Sequence, residues 1–348
     1  MNEIPLELPR AFGPPLGTAR LRVEPEDFQV DEIPLLAPDG AGEHVWLQVE
    51  KCNANTRWVA QRLAAHAGVS PRAVSYAGLK DRRAVTRQWF SVHLPGRAGP
   101  DWPALAIEGV KVLAVARHSR KLRIGALRGN RFRIRLRQVR ASAAGLEARL
   151  HQLRAGVPNG FGAQRFGRGG DNLRQAAALF AGRRRRVSRP VRGLYLSAVR
   201  AALFNRVLAA RIAAGNWQRA LPGDVLALDG RSAVFPCEQP DETIHARCGR
   251  GEIHPTGPLC GQGGAQVAGE AAALEAEVLA PWREWIEGLV AARLEAARRP
   301  LRVRPSDLTW QRETDADWVL SFGLPAGSYA SLLLHQLLEL EIVAGEGA

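Results

Sequence analysis

Tyr76-Ala-Gly-Leu-Lys-Asp-Arg-Arg-Ala-Val-Thr-Arg-Gln-Trp-Phe90 joins a polar loop to a run of strand formers, and its reading decides both the fold and the chemistry. Val85, Thr86, Trp89, Phe90 and Val92 are β-branched or aromatic, the types that suit a pleated, half-buried surface. Just before them stands one carboxylate, Asp81, among Lys80, Arg82 and Arg83, cations that favour its ionised form at neutral pH. Gly78 permits a tight turn or a close approach to a ligand. A loop acid at the mouth of a rigid strand suits a nucleophile or base. From residue types alone, a turn or capping aspartate is the competing reading.

The flanking pattern extends the strand reading. Apolar and polar residues alternate over Thr18–Pro34 and again over Glu43–Lys51. A helix follows, with caps offered by 53–56 and Trp58, Val59, Leu63 and Ala67 at helical spacing. Further strands are expected near 84–93, 107–117 and 121–137, with Gly129-Asn130 a turn or bulge in the last, and a helix near 142–155. At Gly156-Val-Pro-Asn-Gly-Phe-Gly162 the composition changes, and helical patterns dominate at 171–181, 194–214 and 266–298. Residues 222–262 are poorly periodic and read as strands or loops. A strand pattern returns at 316–323, then a helix at 328–342. The expected organisation is a domain of residues 1–155 plus 306–348, interrupted by a helix-rich domain at 156–305.

With 348 residues, 46% of them hydrophobic, the chain can bury a substantial core. Forty-eight Lys and Arg against 34 Asp and Glu give a net charge of +14, a field that favours a polyanionic partner. Only four of the cations are lysines; arginine suits bidentate phosphate contacts, although GC-rich coding produces the same bias. The segments Arg117 to Arg123, Arg165 to Arg174 and Arg183 to Arg192 are candidate phosphate contacts, or solvated faces when taken singly. Residues 1–15 lack the pattern of a signal peptide and no stretch approaches a membrane span, so a cytoplasmic protein without a membrane partner is expected. Cys237, Cys248 and Cys260 lie near His245 and His254, but the spacing contains no Cys-x-x-Cys and no His-x3-5-His, and no metal is expected. The glycine-rich run Pro158-Asn-Gly-Phe-Gly-Ala-Gln-Arg-Phe-Gly167 matches neither nucleotide-loop spacing.

The Gly-x-Lys-Asp-Arg-x-Ala-x-Thr-x-Gln-Trp string resembles the signature of the TruD family of tRNA pseudouridine synthases. Further segments resemble the family in the same order: Leu21-Arg-Val-Glu-Pro-Glu-Asp-Phe28, Gly129-Asn-Arg-Phe132, Pro158 to Gly167, Ile253-His-Pro-Thr-Gly-Pro258 and Leu324-Pro-Ala-Gly-Ser-Tyr-Ala330. The resemblance implies an α/β fold of the α+β type, a catalytic core around a curved, mixed, mainly antiparallel sheet, interrupted by the helix-rich insertion. It implies isomerisation of uridine to pseudouridine at position 13 of the tRNA D-arm, in a basic cleft between core and insertion, with no cofactor, no metal and no obligate protein partner.

The resemblance also implies roles. Asp81 is the catalytic acid, and Lys80, its neighbour in the motif, falls among the substrate-binding residues. Arg22 stands where the family usually has lysine, near the acid. Phe28, Asn130 and Phe132 correspond to positions lining the uridine site, and Tyr329 replaces the usual Phe. An aromatic can stack on uracil and an amide can offer donor and acceptor to its edge, whereas core packing and a hairpin turn are what these types more commonly serve. A buried Tyr329 hydroxyl needs a partner. Gly160 replaces a family Tyr, and Asn159, Gln164 and Arg165 are candidates for RNA contact or for a hinge. The competing classes are a non-catalytic RNA-binding or ribosome-assembly factor of the same fold, which the intact Lys80-Asp81 element disfavours, and a metal-dependent nuclease, for which Asp81 lacks an acidic neighbour within ten residues on either side.

Overall fold

The computed structural model describes residues 1–183 and 187–343. Seven strands form first: β1 (Thr18–Leu21), β2 (Phe28–Pro34), β3 (His44–Cys52), β4 (Val74–Tyr76), β5 (Val85–His93), β6 (Val110–His118) and β7 (Leu127–Arg140), with helix α1 (Thr56–His66) between β3 and β4. The chain then builds α2 (Ala143–Leu153), β8 (Val157–Pro158), α3 (Asp171–Phe180), α4 (Arg189–Ala213), β9 (Asp224–Leu228), β10 (Val234–Cys237), α5 (Glu242–Arg250), β11 (Ile253–Leu259), α6 (Gly269–Leu279), α7 (Arg283–Ala291), β12 (Ala297–Pro300) and β13 (Arg302–Val303). It finishes with β14 (Ser306–Arg312), β15 (Trp318–Pro325), α8 (Ala330–His335) and β16 (Glu339–Ile342). The fold is mixed α/β.

Two compact units emerge. Among the described residues, one holds 16–142, 306–327 and 338–343, the other 1–15, 143–183, 187–305 and 328–337. The sequence reading divides the chain at 155/156 and 305/306; by packing, α2, the first 15 residues and α8 group with 156–305.

The first unit is a ten-stranded sheet with the central order β14-β15-β7-β2-β5-β3-β6, β1 pairing with β7 and β16, and β4 with β5. Among the described residues, its β1–β16 and β2–β5 pairings are parallel and the others antiparallel, so the sheet is mixed and mainly antiparallel as expected. Strand alternation separates its faces. Val45, Leu47 and Val49 of β3 with Phe90 and Val92 of β5 form one face, and α1 covers them with Val59 and Leu63. Trp46 lies on the opposite face and stacks on His118 at 4.2 Å between ring centroids.

Local readings differ from the structure at several places: Glu242–Arg250, within the stretch read as strands or loops, is helix α5, and the strand expected from 121 begins at Leu127. Of the two readings of Gly129-Asn130, turn or bulge, the turn fails: both residues lie within β7, paired with β15 on one side and β2 on the other, and the register against β2 shifts beside Gly129, between its pairing with Ile33 and that of Leu127 with Pro34. The C-terminal helix stops at His335, and Glu339–Ile342 pairs with β1 as a strand. The helical reading of 266–298 ends early, since Ala297–Pro300 pairs with β11.

The second unit is centred on α4. Ala198, Val199, Ala202, Leu203, Phe204 and Leu208 are fully buried among side chains from α3, α6, α7 and the first residues of the chain. Small residues at these positions let the neighbours approach the helix closely. A four-stranded sheet, β10-β9-β11-β12, and the short β13-β8 pair complete the unit. Among the described residues, no helix is long and apolar enough to cross a membrane.

Candidate active site

Asp81 lies in the loop 77–84 between β4 and β5, and its carboxylate accepts from Arg22 Nη2 at 2.6 Å. The Asp81 and Arg22 side chains are 35% and 22% exposed, so the pair is reachable from solvent yet partly desolvated. Arg22 follows β1 with a left-handed backbone, φ 62°, a region that costs energy for a side chain with a Cβ and is often retained where a functional group must be aimed. Its guanidinium also lies 4.1 Å from the ring centroid of Phe28. That contact fixes the plane of the guanidinium while one nitrogen serves Asp81.

Phe28 begins a row of aromatic rings on the sheet. Its ring meets Phe132 edge-on at 6.2 Å, and Phe132 stacks on Phe322 of β15 at 5.4 Å. Phe28 and Phe132 are only 4% and 6% exposed, so in this state neither offers an open stacking face. Asn130 lies on the same side of β7 as Phe132, and its Oδ1 is buried without a hydrogen-bond partner. A buried amide oxygen left unpaired is costly unless something outside the chain donates to it.

Lys80 was expected among the substrate-binding residues. Its ammonium turns inward to Glu32 Oε2 at 2.8 Å, with the two side chains 7% and 1% exposed. The other loop cations are also engaged elsewhere. Arg83 donates to the carbonyls of Val23 and Val343, and Arg82 reaches the Asn53 carbonyl at 3.4 Å. Arg22 is therefore the cation in contact with the Asp81 carboxylate, rather than the three that adjoin it in sequence.

Lys51 was not singled out by the sequence reading. It is fully buried on β3 and donates from Nζ to the Asp81 main-chain carbonyl at 2.7 Å. Burial pushes its pKa down to about 8; the nearby Asp81 charge opposes that fall and Lys80 adds to it. A signal for it does exist in the sequence: Val45, Leu47 and Val49 put position 51 on the inward face, where lysine is out of place. Beside the loop opens a groove of about 920 Å³ lined by Asn53, Asn55, Trp58, Arg62 and Arg82 among others.

The remaining candidates belong to the second unit. The Tyr329 hydroxyl accepts from Arg165 Nη2 at 2.8 Å and Nε at 3.1 Å, which supplies the partner a phenol at this position needs. Asn159 is 7% exposed and bound to Pro300, Arg299 and Ser328, so its amide is committed to holding strands together. A Cβ at Gly160 would lie 2.7 Å from Leu8 Cδ2, 3.2 Å from Asn205 Oδ1 and 3.3 Å from Leu332 Cδ1, so an aromatic there would require these side chains to shift. Gln164 is exposed. The Ile253–Pro258 motif is β11 itself, in which His254 bridges Asp229 at 2.8 Å and Arg302 at 3.0 Å. Arg302 donates to Nδ1, so Nε2 carries the proton given to Asp229.

Of the cysteines, Cys237 and Cys248 are buried in an apolar cluster, and among the described residues no group of three His, Cys, Asp or Glu is arranged to hold a metal. Of the basic segments, Arg120, Lys121, Arg123, Arg168, Arg189 and Arg192 are exposed, and Arg174 pairs with Asp171. Within Arg183 to Arg192, positions 184–186 lie outside the described residues.

A mixed sheet carrying a loop aspartate clamped by arginine above an aromatic row defines an α/β protein with a carboxylate-centred candidate active site. Its fold is similar to that of a crystal structure described as a tRNA pseudouridine synthase D from Methanosarcina mazei, at TM-score 0.68 and 23% identity over 94% of this chain and 95% of that one. The family model for tRNA pseudouridine synthase D (TruD) matches residues 14–173 and 171–337. The chain is 51% identical over 336 residues to the tRNA pseudouridine synthase D of Methylococcus capsulatus, covering 96% of this chain and 95% of that protein. It is 49% identical over 342 residues to the one from Nitrosococcus oceani, with 97% and 95% covered. The chain belongs to the TruD family of tRNA pseudouridine synthases.

Proposed function

We propose that this chain isomerises uridine to pseudouridine in tRNA, at position 13 of the D-arm, with Asp81 as the catalytic carboxylate and Arg22 as the cation that holds it. The reaction breaks the bond from N1 to C1′, turns the uracil and forms a bond from C5 to C1′; the proton on C5 is lost and N1 gains one. Atoms and electrons balance within the nucleotide, so no oxidant or energy donor enters. What the step needs is a carboxylate beside the sugar and base, whether it attacks C1′, adds to the base or takes a proton from C2′, and a pocket that keeps the detached base.

The observation that carries this reading is the 2.6 Å contact between Arg22 and Asp81 at the Gly-x-Lys-Asp motif, in a chain of this family. The unpaired Oδ1 of Asn130 supports it, since the N3–H of a uracil would satisfy that oxygen. Phe28 and Phe132 form the floor of the proposed pocket. Direct stacking on Phe28 requires Arg22 to leave the ring it now covers. Because the target must leave its stack, an apolar floor offsets part of the unstacking cost. Lys80, paired with Glu32, supports the loop from beneath, and Tyr329 is retained as a substrate contact on the resemblance alone. In this reading residues 1–155 and 306–348 form the catalytic domain and 156–305 its insertion.

Pseudouridine mapping on unmodified tRNA transcripts tests the proposal. The parent protein should convert position 13 without added metal or cofactor, and Asp81→Asn should not, while still binding the transcript. Binding by both proteins with conversion by neither would favour an RNA-binding factor and end the assignment.

A further inference from the structure

The loop that presents Asp81 is secured by side chains. The Gly78 carbonyl accepts from Gln88 Nε2 at 3.1 Å, the Lys80 main-chain N–H donates to Thr56 Oγ1 at 3.1 Å, and the Asp81 carbonyl accepts from Lys51 Nζ at 2.7 Å. Thr56 in turn donates to Gln88 Oε1 at 3.0 Å. Gln88, Thr56 and Lys51 are each at most 2% exposed and come from β5, α1 and β3. Three buried side chains on rigid elements thus fix three main-chain groups within four residues, and the last is that of Asp81.

Lys51 is the unusual member. It pairs in register with Thr86 on one side and Val110 on the other, so its side chain stands inside the sheet rather than at an edge from which it could reach water. Its described partner is a neutral carbonyl, while the Asp81 carboxylate is taken by Arg22. An ammonium buried without a paired carboxylate is expensive to maintain. A neutral side chain of like size would pack at lower cost.

Building on the proposed role of Asp81, we propose that Lys51 is a positioning residue for it: the buried ammonium holds the Asp81 main chain while Arg22 holds the carboxylate, so that the residue is fixed at both ends. The electrostatic surroundings of Lys51 are Asp81 and Lys80 from the loop and Cys52 from its own strand, with Glu26 3.9 Å beyond the Cys52 sulfur. With burial pushing its pKa down to about 8, the ammonium loses its charge as pH rises past that value, and its hold on the carbonyl weakens.

Lys51→Met and Lys51→Gln test this, with kcat and KM for pseudouridine formation followed from pH 6.5 to 9.5, thermal melting, and hydrogen exchange of the segment 78–83. Parent turnover should decline above about pH 8, following the Lys51 pKa. Both variants should lose about 100-fold in kcat, the scale of a small misplacement of a reacting group, with KM little changed and the decline near pH 8 gone. Exchange of 78–83 should quicken while melting at pH 7 stays close to the parent's. Parent-like turnover and exchange in both variants would overturn the proposal, and so would a loss of turnover matched by a general fall in melting. If the parent itself makes no pseudouridine, the proposed function fails, and the exchange comparison still decides whether Lys51 fixes the loop.

Discussion

Arg22 combines three features: a left-handed backbone, a ring contact with Phe28 and a short bond to Asp81. Truncation to alanine removes the charge beside Asp81 and the cover of Phe28, but leaves the exposed arginines elsewhere untouched. Turnover on tRNA should therefore fall about 100-fold, the usual loss for one such group, while affinity changes by less than about threefold. Arg22→Lys should fall between, since ammonium keeps the charge but not the planar fork. Single-turnover rates set against binding isotherms separate the two effects, and equal losses would contradict the placement. Tyr329→Phe is a stability test instead: Arg165 loses the acceptor for two bonds, and urea denaturation should register about 1 kcal/mol. That Arg22 lies beside Asp81 was legible in the sequence because family motifs contain both positions. The direction of Lys80 was not legible, because adjacency in sequence says nothing of it: its side chain points to Glu32, and the motif cannot show that.

At the scale of elements, alternation served the long strands well and failed where a short apolar run can be read with either period. Ala330 to Leu338 continues a helical pattern, but the chain beyond it reaches β1, and pairing with that strand outweighs local preference. Gly129-Asn130 signalled a turn or a bulge, and β7 runs through it with only a register shift against β2 beside Gly129. Glycine before asparagine signals a turn, but here glycine is required because β15 runs close by: a Cβ on Gly129 would lie 2.2 Å from the Leu324 carbonyl oxygen. Gly129→Ala must push two paired strands apart, so a cost of about 2 kcal/mol or more is expected by denaturation, in the range for overpacking. Asn130 and Phe132 sit directly after the affected position, so turnover should fall further than stability alone would dictate.

At the scale of the molecule, each unit is assembled from three separate stretches of chain, which is why packing and sequence composition divide it at different residues. Buried polar links hold such an assembly, and one of them titrates. His254 is buried against Arg302, and burial holds its pKa below the usual histidine value despite Asp229. A depressed histidine pKa means that the unfolded chain takes up protons first, so stability is full above the ordinary value near 6.5 and drains as pH falls below it. His254→Gln should flatten that loss. The charge of +14 acts on a different quantity. Exposed arginines gain their attraction for RNA by releasing counterions, so affinity for tRNA should fall at least about 1,000-fold between 50 and 200 mM salt if about six phosphates are neutralised. Asp81 and Arg22 form a short contact that salt screens little, and turnover at saturating tRNA should hold nearly constant over the same range. Titrating affinity and saturated turnover in parallel checks the separation. A fall in both would mean that the Arg22–Asp81 contact is as open to screening as the outer surface, and that this pair does not set the rate.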